Sequence, residues 1–173
     1  MNEGRLNLGV VTGVEAESFG EPGSRTFRVR ASTGSGEVLI WLEKEQLVAL
    51  GQAVDQILER TPESQGASPR PVTAPAEISG EVSAHVGSLA LAFDTTQNAF
   101  ALEASELWEA TLDVQRLLVL ASREQLVKMV AQIDEIVAGG RPRCPMCGRP
   151  LGPSPHFCPP SNGHAHVLDE GRA

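Results

Sequence analysis

Tyrosine is absent from the 173 residues, and a single histidine, His85, lies outside the last thirty or so. With no serine-histidine or paired-carboxylate spacing in evidence, the chain gives little purchase for acid–base or nucleophilic catalysis. Cysteine is scarce and one-sided: there are three, all at one end, an odd number that suits thiolate ligands in a reducing compartment better than a disulfide framework. Positive charge is short as well. A formal net charge of -8 and a pI near 5.0 disfavour broad, non-specific nucleic-acid binding, which depends on neutralising phosphates. No apolar run approaches membrane-spanning length, and the opening residues lack an apolar signal core, so the expectation is a soluble, cytoplasmic protein with no membrane partner.

What is present is 41% hydrophobic residues, enough for one ordinary core with a small appendage. Around Gly9-Val10-Val11-Thr12-Gly13-Val14 the pattern is strand-like. Thr26-Phe27-Arg28-Val29-Arg30-Ala31 alternates, with Phe27, Val29 and Ala31 on one face and the arginines on a wet one. Between them Pro22 and Gly23 suit the two central positions of a type II turn. Residues 37–42 read as a third strand, and 43–59 as a helix with Leu47, Leu50, Val54, Ile57 and Leu58 on one face. Residues 61–78, rich in proline and small polar residues, read as an extended, mobile linker.

The plan then recurs. A strand runs from Val82 to Phe93, with Leu89, Leu91 and Phe93 inward. A turn at 94–98 and strands at 99–104 and 110–120 follow. Ser122 and Gln125 make a capping box for a helix that Gly139-Gly140 stops. Setting Glu45-Gln46-Leu47-Val48 on Glu124-Gln125-Leu126-Val127 also matches Asp55 with Asp134, which periodicity alone does not explain. The expected fold class is therefore α+β. Two duplicated β-β-β-α units (6–60 and 79–140) form a two-layer antiparallel sheet/helix domain over residues 1–140, and residues 141–173 form a small C-terminal zinc-binding module.

That module rests on Cys144-Pro-Met-Cys147-Gly148 and, further on, Cys158. Two cysteines separated by two residues can turn both thiolates toward one ion, and a glycine after the second lets the backbone tighten around it. Cys144, Cys147 and Cys158 are three candidate ligands. His164, after an Asn162-Gly163 turn, is the preferred fourth, with His156 and His166 as competitors. Four protein ligands leave no open position, so the expected zinc is structural. Two further features could carry function. Glu21 and Arg25 sit in a glycine-containing loop that could clamp an anion, and Arg141 and Arg143 make the tail locally basic.

In combination, Phe19-Gly20-Glu21-Pro22-Gly23-Ser24-Arg25-Thr26-Phe27, Leu42-Glu43-Lys44-Glu45-Gln46, Gly87-Ser88-Leu89-Ala90-Leu91-Ala92-Phe93 and the tail from Gly140 to His164 resemble the domain-of-unknown-function family 3090. The resemblance implies a bacterial protein of actinobacterial type, encoded near a histidine-phosphatase-like protein, and no established activity. The favoured expectation is a regulatory or adaptor module whose Arg25 loop and zinc tail contact a protein or RNA partner. The alternative is a metal- or phosphate-handling enzyme using the Arg25 loop.

Overall fold

The computed structural model describes residues 4–71, 74–111, 113–140, 142–147 and 151. They divide into one unit up to Ala138 and a second from Gly139 onward. In the first unit the chain runs through β1 (Arg5–Val10), β2 (Gly13–Phe19), β3 (Thr26–Ser32), β4 (Gly36–Leu42) and α1 (Lys44–Arg60). It then repeats that order with β5 (Gly80–His85), β6 (Ser88–Asp94), β7 (Ala99–Ser105), β8 (Arg116–Ala121) and α2 (Arg123–Ala138).

The α+β class is as expected, but the units are not β-β-β-α. Each expected first strand is two strands that belong to different sheets. One sheet has the order β2-β3-β4-β5 and the other β1-β8-β7-β6. The first strand of each half thus leaves its own meander and pairs, in parallel, with the last strand of the other half: β1 with β8, and β5 with β4. An all-antiparallel two-layer arrangement is therefore corrected to two mixed four-stranded sheets and two helices. The crossings fall at Val11 and Val86, both buried, and each amide extends the foreign ladder by one bond, to Leu120 O (3.0 Å) and Trp41 O (3.1 Å). An apolar crossing carries no turn residue, so it reads in sequence as uninterrupted strand.

Alternation holds within the strands. Phe27, Val29 and Ala31 oppose Leu42, Ile40 and Val38 on the inner face of one sheet. Phe100, Leu102 and Ala104 oppose Ala121, Val119 and Leu117 on the inner face of the other. Both faces share a single core with Leu47, Leu50 and Val54 of α1 and Leu126, Met129 and Ile133 of α2. Gly51 sets the distance between the helices, since a Cβ there would stand 3.1 Å from Ile133 Cγ2.

Each helix start is tied to a sheet crossing. Gln46 Oε1 accepts from the Glu43 amide (2.8 Å), while Nε2 donates to the carbonyls of Val86 (3.1 Å) and Gly87 (3.0 Å). Gln125 repeats the arrangement: Oε1 accepts from Ser122 N (2.8 Å) and Nε2 donates to Val11 O (3.0 Å), with Ser122 Oγ accepting from Gln125 N (3.2 Å). The Ser122–Gln125 capping box is thus as the sequence indicates. The polar residues shared by the two helix starts have a structural task, satisfying helix-end amides and bracing the crossings.

The expectation for 61–78 is an extended, mobile linker. Its described residues 61–68 turn, and hydrogen bonds from elsewhere in the first unit reach them. Arg123 donates to the carbonyls of Thr61 (2.6 Å), Pro62 (3.0 Å), Gln65 (3.0 Å) and Leu58 (3.4 Å). Gly66 N donates to Asn98 Oδ1 (3.0 Å) and Asn98 Nδ2 to Ser68 O (3.2 Å). Ile78 enters the core.

Candidate functional site: an aromatic row on one sheet

In the sheet β2-β3-β4-β5 the outward residues alternate with those of the core. Because Arg28 pairs with Trp41 and Trp41 with His85, register alone lines up side chains distant in sequence on the outer face. Phe19, at the end of β2, continues the row on one side. On the other side the chain between β7 and β8 adds Trp108, whose backbone exchanges hydrogen bonds with His85 (3.0 and 3.1 Å).

The rings are contiguous. Phe19 and Trp41 have centroids 6.2 Å apart, Trp41 and His85 6.4 Å, and His85 and Trp108 5.7 Å, the last two pairs stacked at 27° and 23°. The Arg28 guanidinium lies over Phe19 at 4.6 Å and over Trp41 at 5.2 Å, a cation–π arrangement on the rings' electron-rich faces. Trp41 Nε1 donates to Ser83 Oγ (2.9 Å), which fixes the indole plane. His85 Nε2 lies 3.4 Å from Glu109 Oε2.

Both tryptophans of the chain stand in this row. Phe19 is 43% exposed and Trp108 48%, in a protein whose other large aromatic pair, Phe93 and Phe100, packs edge-on at the core. Leu107 and Trp108 are presented by a segment with two non-glycine residues at positive φ, Glu106 (56°) and Glu109 (50°). Such conformations are costly and cluster where a side chain must be aimed.

The charges beside the row are matched within the protein. Arg28 Nε donates to Glu17 Oε2 (2.5 Å), and Arg30 meets Glu15, Glu17 (3.2 Å) and Glu37 (3.3 Å). For Arg30 burial works against the charge, but Glu17, Glu15 and Glu37 outweigh it and raise the pKa above the ordinary guanidinium value. The arginines on this face are therefore fixed, neutralised parts of the platform. The row has the makings of a stacking surface.

Of the residues singled out in sequence, Glu21 lies in the β2–β3 turn, where Ser24 N donates to Glu21 O (2.9 Å) and Gly23 takes φ 99°, as a type II turn requires. Arg25 Nη1 donates to Ile136 O (3.3 Å), at the carbonyl end of α2. In the second unit, Cys144 is buried, the chain turns over Pro145, Met146 and Cys147, and Leu151 N donates to Pro142 O (2.7 Å). Among the described residues no group of three or more histidine, cysteine or acidic side chains gathers to hold a metal. Cys158, His164, His156, His166 and Arg141 lie outside the described residues, while Arg143 is described and exposed.

The aromatic row escaped sequence reading because its members lie at positions 19, 41, 85 and 108 and meet only through strand pairing. The one local signal was Trp41, which alternation from Leu42 and Ile40 turns outward.

Two mixed sheets and two helices around one core define an α+β protein, and no described helix is long and apolar enough to cross a membrane. The chain belongs to the family described as protein of unknown function (DUF3090), which it matches over residues 7–158. No curated protein and no solved structure matches it.

Proposed function

We propose that the protein is a non-enzymatic binding module that docks a segment of a partner protein on the Phe19–Trp41–His85–Trp108 row. The observation that carries the reading is the exposure of a continuous aromatic row that includes both tryptophans. Rigid aromatic rings supply large contact area at low entropic cost, which is why they anchor interfaces. A protein partner suits the surface better than RNA, because its arginines are already paired with carboxylates and the chain carries a net charge of -8. The Arg25 contact with α2 supports a structural task for that loop over phosphate handling. Native mass spectrometry of protein purified from its own host tests the proposal. The parent should carry a stoichiometric protein partner and Trp108→Ala should lose it, whereas a partner retained in full by Trp108→Ala would contradict it.

The tail, in this reading, is stapled by one structural zinc held by Cys144, Cys147, Cys158 and His164. The turn over Pro145, Met146 and Cys147, which separates the two cysteines by a single bend of the chain, supports it. Structural zinc contributes on the order of 10 kcal/mol to folding in small modules, so chelation should expose residues beyond 139 to protease and spare the first unit. Elemental analysis should find one zinc per chain, and Cys147→Ser should abolish it. Protein with no metal and an unchanged tail would exclude the staple.

The halves are further inferred to be copies, supported by the repeated element order and the matched tasks of Gln46 and Gln125. Comparison of family sequences half against half should keep both glutamines and the Asp55/Asp134 match. Agreement no better than between unrelated amphipathic helices would reject the copy.

A further inference from the structure

The two halves differ at one place where they would be expected to match. Strands β2 and β6 each end a sheet, and a helix runs beside each. At β2 the edge is closed: Gln132 of α2 accepts from the Ala16 amide (2.9 Å), and the strand itself carries Glu15 and Glu17. At β6 it is open. The residue seven beyond Gln46, as Gln132 is seven beyond Gln125, is Ala53, which has no group to offer Leu91, the counterpart of Ala16 by register: Leu91 pairs with Leu102 and that with Val119, as Ala16 pairs with Val29 and that with Ile40. Between α1 and β6 lies a cleft of about 280 Å³, lined by Gln46, Ala49 and Ala53 on the helix and by Leu89 and Leu91 on the strand.

Edge strands in soluble proteins are guarded by charge, proline, bulges or a covering element, because their unpaired backbone groups recruit other strands. From Ser88 to Phe93, β6 has neither charge nor proline, and it pairs with β7 without register irregularity. In an antiparallel edge strand every second residue turns both its N–H and its C=O outward, here toward the cleft. Leu89 and Leu91 remain only partly buried there.

We propose that this cleft binds an extended segment of a partner protein by strand addition to β6, with small or apolar side chains facing α1 and a basic residue at the Gly87 end. The charge of that end argues for the basic residue. The Glu106 carboxylate lies against Gly87, with Oε2 2.7 Å from where a Cβ would be, and has no ion-pair partner among the described residues. The first turn of α1, which Gln46 anchors to Gly87 O, brings Glu43 and Glu45 with Lys44 as the one cation among them. A second copy of the chain fits less well, because β6 itself carries no basic residue to meet these carboxylates. The site is on the opposite sheet from the aromatic row and stands or falls separately.

Strand addition is carried mainly by backbone bonds, so a short generic probe suffices. The full chain, zinc-loaded, would be titrated with the peptide Lys-Thr-Val-Thr-Val-Thr-Lys and with Glu-Thr-Val-Thr-Val-Thr-Glu, following backbone amide resonances. The lysine peptide should shift the amides of residues 87–93 saturably and bind about tenfold tighter than the glutamate peptide. Ala53→Gln, which places on α1 the group that seals β2, should weaken it about tenfold while amides elsewhere keep their positions. Glu106→Gln should remove most of the preference for lysine. Unshifted 87–93 amides, or equal binding by Ala53→Gln, would overturn the proposal. So would a dimer in sedimentation that Ala53→Gln dissociates, which would assign the edge to a second copy.

Discussion

Gly66 shows how much can depend on one missing side chain. Its φ is 79°, and a Cβ there would stand 2.3 Å from Phe100 Cε2, the ring that fills the centre of one sheet's inner face. Relief would need either the ring or the segment to move, and Phe100 is fully buried. Gly66→Ala should therefore cost roughly 3 kcal/mol, combining a left-handed backbone with overpacking. Urea denaturation measures it. A loss no larger than that of an exposed glycine in a turn would mean the contact is dispensable.

Among elements, the helix starts were legible and the strand exchange was not. Ser122 and Gln125 lie three residues apart, so their mutual bonds follow from local spacing. Gln125 also reaches Val11, and Gln46 reaches Val86, across distances that no local pattern encodes. Splitting each first strand at Val11 or Val86 requires knowing that its two parts belong to different sheets, and a buried valine looks the same in either. The aromatic row is hidden for the same reason, as is the path of 61–68, whose hydrogen bonds come from Arg123 and Asn98. The turn over Pro145, Met146 and Cys147, by contrast, is local. Since each glutamine serves its own helix and the other half's crossing, Gln125→Ala and Gln46→Ala should each cost about 1–2 kcal/mol, more than a cap alone in an isolated helix. Thermal melts of the two variants and of the double variant check this. Loss of less than about 0.5 kcal/mol in both would remove the glutamines from the bracing role.

Over the whole molecule, exchange of first strands makes each sheet depend on both halves, and Arg123 fastens the connection between them. Its guanidinium also stands 5.6 Å from the Phe100 ring, so one side chain joins α2, the end of α1, the 61–66 backbone and the core. Arg123→Ala leaves those carbonyls without their donor, and should cost roughly 2 kcal/mol and make residues 62–70 the first place of protease cleavage. Parent protein should resist cleavage there; equal cleavage of both would contradict the assigned role. Against this framework the outer face of β2-β3-β4-β5 is a rigid platform: its charges are internally paired, its indole is fixed by Ser83, and its rings are aligned by strand register. That rigidity is what a docking surface needs to limit the entropy lost on binding. The most direct measurement is tryptophan emission of the protein as its co-purified partner is added back. Docking on the row should shift the emission to the blue and reduce acrylamide quenching, with both changes lost in Phe19→Ala and in Trp108→Ala, whose melting should stay near that of the parent. Saturable binding of that partner with emission and quenching unaltered would place the contact elsewhere and contradict the account.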